Sequence, residues 1–401
     1  MKDLLRAARS VAPAFMTIAC LSAPGLAANG PAASKSQDSV AYQINPAHTG
    51  NIALTGGFTA PLTQAWSVDL GGTVSYPLIA NGMAFVSVAA GTYNGYTTLL
   101  DALDLSTGAV VWEKLLPGDT SWADAAYDGG NVFVLNGVGK LSAFRAKTGK
   151  LLWSIQVPYL QGYDGSFGAP TAMNGLVYVQ SLAQNSASTL FAYDEKTGVA
   201  AWSVNLTGAT YDAAGAAAVD AQGVYVGTSN VYALSPDSGT TLWNVASSCI
   251  SVDAPVYFAD TLYIAHPSCG GSMYNVANGA VVGSFAGNLS PVIFDKSSVV
   301  ITLDGILYDY TPKNDNVRWS FTGDNELASK PIVVNGNVVA LSTYGNLYVI
   351  DGATGQQLWT TSLGYNYSDG GPDTGLAAGE GTLLVPDGEY LYAFVPQGGK
   401  K

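Results

Sequence analysis

The chain has 401 residues, of which 48% are hydrophobic and only 11% charged, with 47 glycines, 23 tyrosines and a formal net charge of −13. An acidic surface of this kind gains nothing electrostatically from nucleic acid or an anionic membrane, which excludes both as main partners. So many glycines and tyrosines with so few charges suit a β-rich extracytoplasmic chain with many turns, and exclude a helical bundle.

Residues 1–27 begin with Lys2, Arg6 and Arg9, continue as an apolar run, and set Gly25 and Ala27 at the spacing a signal peptidase reads. They are expected to be a cleaved secretory signal, giving a periplasmic or secreted product. The alternative is a lipid anchor at Cys20, with Thr17 standing where leucine is usual. Later stretches all fall short of the ~18 apolar residues of a bilayer-crossing helix. Without residues 1–27 the chain keeps 13 basic against 28 acidic side chains, a net charge of −15. Cys249 and Cys269 then remain as an even pair, read either as a disulfide in an oxidising compartment or as two buried thiols. Residues 28–60, rich in Ala, Pro, Ser, Asn and Gly, read as a tether with one anchored piece, Ala41 to Gly50.

From residue 61 to residue 398 the sequence repeats itself. LDALDLSTGAVVW (Leu100 to Trp112), LSAFRAKTGKLLW (Leu141 to Trp153), LFAYDEKTGVAAW (Leu190 to Trp202), VYALSPDSGTTLW (Val231 to Trp243) and LYVIDGATGQQLW (Leu347 to Trp359) each hold a tryptophan four residues after a glycine. Those glycines are Gly108, Gly149, Gly198, Gly239 and Gly355. LYDYTPKNDNVRW, ending at Trp319, has Asp315 at the glycine position, and MYNVANGAVVG (Met273 to Gly283) reads as a degenerate copy short of two residues and the tryptophan. A period in the range of 36 to 49 residues is that of propellers or solenoids. Each unit reads as four antiparallel strands, one propeller blade.

Third strands number eight, but the fourth strands that follow a turn number seven. PLTQAWSVDL (Pro61 to Leu70) carries Trp66 with no third strand before it, while LYAFVPQG (Leu391 to Gly398) has no tryptophan strand after it. The N-terminal strand is therefore expected to complete the last blade and close an all-β, eight-bladed propeller, leaving residues 399–401 as a tail. In that ring Trp66, Trp112, Trp153, Trp202, Trp243, Trp319 and Trp359 are structural spacers between blades.

These motifs resemble the quinoprotein-type β-propeller repeat, A-x-D-x-x-T-G-x-x-x-W, matched in full by Ala102, Asp104, Thr107, Gly108 and Trp112. The resemblance covers residues 61 to 398 and implies two functions. One belongs to dehydrogenases of alcohols or sugars that carry pyrroloquinoline quinone (PQQ) with Ca²⁺. The other belongs to non-catalytic scaffolds, including the lipoprotein of the outer-membrane β-barrel assembly machine. The chain has no adjacent cysteine pair and no C-x-x-C-H haem site, and it lacks the long inserted loops of the dehydrogenases. With only His48 and His266 it offers neither a Ser-His-Asp set nor a histidine metal cluster. The expected function is thus a non-catalytic binding or assembly scaffold without catalytic residues, metal or cofactor. A PQQ-dependent oxidoreductase is the alternative.

One propeller face collects the loops from each fourth strand to the next blade. On them lie Asp119, Trp122 and Asp124; Tyr159, Tyr163 and Asp164; Tyr211 and Asp212; Asp253; Asp324 and Glu326; then Tyr365, Tyr367, Asp369 and Asp373. Such an acidic, aromatic face suits a protein or glycan partner. Trp122 stands out as the one tryptophan outside the repeat position. Lys147, Lys150, Lys196, Lys313 and Arg318 fall at the opposite turns, and Cys249 and Cys269 fall on the acidic face of one blade, which favours their disulfide.

Overall fold

The computed structural model describes residues 37–398 except 93–94, 119–121, 159–166, 183–187, 208–214, 248, 250, 252, 267–268, 288, 313–315 and 365–374. Eight antiparallel sheets follow one another as blades 1 to 8, spanning residues 73–115, 123–156, 171–206, 218–246, 256–285, 299–321, 332–362 and 377–396. In blade 1 the innermost strand is split into Thr73–Val74 and Leu78–Ala80. In blade 6 it is reduced to a single bridge between Val292 and Val300. The outer strand of blade 8 is Leu62–Asp69, which pairs with Tyr390–Pro396 and brings Trp66 opposite Ala393. Both ends of the ring thus meet in one sheet, and the edge that would template aggregation is consumed.

Tryptophan and glycine are locked to each other across the blade seams. Built at Gly108, Gly149, Gly198 and Gly239, a Cβ would stand 2.6 to 2.7 Å from the ring of Trp66, Trp112, Trp153 and Trp202 respectively, each on the preceding blade. Gly355 faces Trp319 in the same way, at 2.8 Å. Each of these indole N–H groups then donates to a carbonyl of the neighbour's turn, at Leu105, Ala146, Glu195, Pro236 and Gly352, at 2.8 to 2.9 Å. The turn glycine is also left-handed, at φ +73° for Gly108, so two constraints select it: backbone sign and the absence of a Cβ. Asp104, Asp194 and Asp351 cap the turns, each accepting from backbone amides and from a threonine hydroxyl. The core is accordingly eight apolar clusters, one per seam between blades.

The fifth blade corrects one sequence expectation. Its third strand is Gly270–Asn275, and no residue is missing: Asn275 O accepts from Gly279 N at 2.8 Å, as Asp104 O does from Gly108 N. Gly279 packs on Trp243, and Gly283 stands at the tryptophan position, opposite Met273 as Trp112 is opposite Ala102. Phe285 fills that seam instead. It is 2% exposed, and its ring covers Gly271, where a Cβ would meet it at 2.0 Å. Asp315, at the glycine position of the next blade, lies outside the described residues.

Residues 37–54, which include the piece Ala41 to Gly50, form a strap. It runs around one end of the central channel and visits the blades in ring order by backbone hydrogen bonds. Gln37 O accepts from Glu380 N, Ser39 exchanges bonds with Ile79, and Val40 O accepts from Tyr127 N. Pro46, Ala47, Thr49, Gly50 and Ile52 carbonyls then accept from Val219, Tyr257, Ile293, Val333 and Asn335. Blade 3 is reached through His48, whose Nε2 lies 3.4 Å from Thr171 Oγ1. Asn51–Ile52 pairs in parallel with Ile332–Val334 as an extra strand of blade 7.

The seam lock sets a quantitative expectation. Gly175 is left-handed with open space around it, whereas Gly198 is left-handed and faces Trp153. Gly175→Ala is expected to cost about 1–2 kcal/mol of backbone strain. Gly198→Ala adds about 1–3 kcal/mol of overpacking to the same strain, and urea denaturation of the two variants measures the difference.

Candidate functional site

Ala123 opens the innermost strand of blade 2, and Ala169, Ala216 and Ala254 lie just before the innermost strands of blades 3, 4 and 5; all four share one buried cluster. Small side chains at the hub leave room for an occupant, and the strap supplies it. A tight turn in which Ala41 bridges Ile44 carries Tyr42 at its tip, and the Tyr42 side chain, 5% exposed, packs into the cluster that those alanines line. Its ring meets Tyr76 edge-on with centroids 5.4 Å apart and His48 at 5.9 Å.

Lys330 and Asp253 enter the hub from the loops before blades 7 and 5. Lys330 Nζ donates to Asp253 Oδ1 at 2.6 Å and to the Tyr42 hydroxyl, and lies 4.9 Å from the Tyr42 ring centroid. Asp253 also accepts from Ala254 N at 2.8 Å and Ser290 N at 2.7 Å. Burial pushes the Asp253 carboxyl up, but Lys330 and these backbone donors outweigh it and hold it below the usual range. Burial lowers His48 to about 4, so it is neutral, with Nδ1 3.1 Å from Pro255 O. Lys330 is the residue that sequence reading passed over. It is a lone lysine in a loop of ordinary composition, and only the fold shows that this loop points at the axis.

A second electrostatic theme is the buried carboxyl. Burial raises Glu195 to about 8, helped by the Asp128 carboxyl of blade 2 beside it. Asp101 is raised to about 7 by burial and by Glu113, and Asp387 to about 6 by burial. At the strap, Asp38 and Glu380 carboxyls share a hydrogen bond, and burial raises both.

Of the expected acidic and aromatic face, Trp122, Asp124, Asp253, Asp324 and Glu326 are described. Trp122 is half-buried and packs against the cluster between blades 2 and 3, and Asp124 is buried. Asp119, Tyr159, Tyr163, Asp164, Tyr211, Asp212, Tyr365, Tyr367, Asp369 and Asp373 lie outside the described residues. Asp253 and Asp324 are drawn into internal bonds, Asp324 with Ser342 and Asn346 at 2.6 Å. Cys249 and Cys269 form a disulfide with Cα atoms 6.4 Å apart, closing a loop of a size that stabilises by about 3 kcal/mol.

A PQQ tricarboxylate would need several cationic partners at the hub. The described hub presents one ammonium, already neutralised by Asp253, with the axis filled by Tyr42. These residues do not fit the cofactor. Among the described residues, no three of His, Cys, Asp and Glu gather in a group that could hold a metal ion. No helix among them is long and apolar enough to cross a membrane.

A family model described as outer membrane protein assembly factor BamB matches residues 97–249 and 229–401. The protein of that name from Moranella endobia is 29% identical over 246 residues, 58% of this chain and 55% of the relative. The dehydrogenase subunit of a quinone alcohol dehydrogenase from Gluconacetobacter polyoxogenes is 26% identical over 368 residues, 83% of this chain and 45% of the relative. The chain thus spans about half the length of these curated relatives. The crystal structure of BamB from Moraxella catarrhalis superposes with a TM-score of 0.64 at 14% identity, covering 84% of this chain and 100% of that one, a likeness of fold.

The buried carboxyls predict a pH dependence with a definite sign. Between pH 6.5 and 8 folded His48 is neutral, and the unfolded histidine, titrating near 6.5, loses at most its last half proton, a small contribution of opposite sign. Folded Glu195 and Asp101 still hold protons there that the unfolded chain has lost, so stability falls as pH rises. The thermal midpoint is expected to drop by about 2–5 °C across that window. Glu195→Gln should remove most of the drop, as calorimetry at the two pH values would show.

Proposed function

The chain belongs to the family described as outer membrane protein assembly factor BamB, and from that membership we propose that it is an extracytoplasmic, non-catalytic scaffold that holds a protein partner during outer-membrane assembly. One observation carries this reading: the hub, the natural cofactor position of a ring, is filled by the chain's own strap and an internally neutralised ion pair. What remains for recognition is the outside of the ring. Residues 1–27, with their basic start and small-residue cleavage site, support export.

The partner surface in this proposal is the acidic, aromatic loop face, with Trp122 and Tyr163 as its anchors. Large rigid aromatics ringed by carboxylates suit a protein surface with exposed cations, and they also suit a glycan. Capture of cross-linked partners from the native envelope tests the assignment. The Trp122→Ala/Tyr163→Ala double variant is expected to lose capture with its thermal midpoint within a few degrees of wild type. Full capture by that variant would move the partner surface elsewhere on the ring.

A second reading, a PQQ-dependent oxidoreductase of alcohols or sugars, has one observation in its favour: the similarity to the quinone alcohol dehydrogenase runs across most of the chain. It requires PQQ and Ca²⁺ to bind stoichiometrically. Calorimetric titration with both is expected to give no binding heat, and a stoichiometric isotherm would instead establish the dehydrogenase reading.

A further inference from the structure

We infer that the hub of this ring is a built site for a neutral aromatic alcohol, held by the Lys330–Asp253 pair, and that the chain fills it in cis with Tyr42. The inference stands apart from the scaffold reading, since a hub filled from within is compatible with any use of the outer surface.

Three features make the hub a site rather than a gap closed by whatever side chain is nearest. The walls are small: Ala169, Ala216 and Ala254 come from three successive blades and join Tyr42 in one buried cluster. The polar end is preassembled, because Asp253 is fixed by the backbone amides of Ala254 and Ser290 and in turn fixes the Lys330 ammonium at 2.6 Å. Lys330 has donors to spare beyond that carboxylate, and one goes to the Tyr42 hydroxyl. The specificity follows from charge. Asp253 repels an anion, Lys330 repels a cation, and the ammonium beside the hydroxyl rewards a neutral phenol with a hydrogen bond.

The strap's backbone shows that this placement is imposed. Gln43 and Ile44, directly after Tyr42, sit at φ +52° and +78°, and His48 at +57°. A β-branched residue such as Ile44 is a true outlier there and persists only when its surroundings over-determine it. The surroundings do so here: Val40 N donates to Ile44 O at 2.7 Å, and Ile44 is buried in the seam between blades 7 and 8. Gly50 completes the fit, because a Cβ there would stand 2.7 Å from Gln43 Oε1 and 2.9 Å from Val292. The turn is thus bent against its own preference, and the bend carries the Tyr42 ring into the buried alanine cluster.

The test is chemical replacement of the missing ring in full-length protein. Tyr42→Gly is expected to have a lowered thermal midpoint that millimolar phenol raises by several degrees, with toluene clearly less effective and wild type unresponsive to either. Equal rescue by toluene would overturn the polar half of the inference. No response in a variant whose circular dichroism shows the β fold intact would overturn all of it. Should Tyr42→Gly fail to fold, Tyr42→Phe, Lys330→Met and their double variant decide. Midpoint losses that are strongly non-additive are expected, and additive losses would show that the hydroxyl and the ammonium do not act together. Stoichiometric PQQ binding by wild type would also overturn the inference, since the hub cannot hold both rings.

Discussion

Among the described residues, six of the eight seams depend on one close approach, an indole against a glycine of the next blade. Burying an aromatic ring of this kind removes roughly 150–250 Å² from water. The indole N–H also ties the seam to a turn carbonyl, which fixes angle as well as distance. Because most blades donate a tryptophan forward and present a glycine backward, the contact recurs around much of the circle. The seam after blade 5 shows what happens when it lapses: Gly283 replaces the tryptophan, and Phe285 over Gly271 supplies the bulk from two residues further on. The same packing problem is solved with its large and small partners moved to different strands.

A ring of eight blades creates a second constraint, the hub. Inner strands that bring alanines to the axis leave a channel that must be lined with water, filled with ligand or filled with chain. Here it is filled with chain, and the strap does two jobs with one segment. Its carbonyls satisfy amides at the inner strand ends of most blades, groups that would otherwise face the channel mouth without partners. Its Tyr42 side chain packs among the hub alanines. The ion pair it meets is neutral as a unit, so burying it leaves no uncompensated charge.

The blade count, ring closure by Leu62–Asp69 and the roles of Trp112 and Gly149 were legible because each arises from a local pattern repeated many times. The disulfide was legible from loop placement. The hub was not. Tyr42 sits in the piece expected to be anchored, Ala41 to Gly50, but composition does not say where that piece docks, and Ile44 occupies a backbone region that no propensity assigns to it. Lys330 and Asp253 lie far apart in sequence, and only the curvature of the whole ring brings their loops to one point. Phe285 was missed for a related reason, since its partner Gly271 compensates across strands and leaves no motif. The expected recognition loops are largely outside the described residues, and Trp122, the described anchor, proves to be half in a seam.

The pairing of Leu62–Asp69 with Tyr390–Pro396 bears on how the chain reaches this state. This early strand is the last to find its neighbour, and the strap needs amides from blades spread along the sequence. Blade hairpins can form as they emerge, since their contacts are local, but neither the seam between blades 8 and 1 nor the hub can be completed until the final strand is present. Closing so long a loop is slow although its entropic cost grows only with the logarithm of length. Until then Trp66 has no third strand beside it and Tyr42 has no cage. A chain of this design keeps both ends unsatisfied until its last blade strand is in place, and ring and hub then close together.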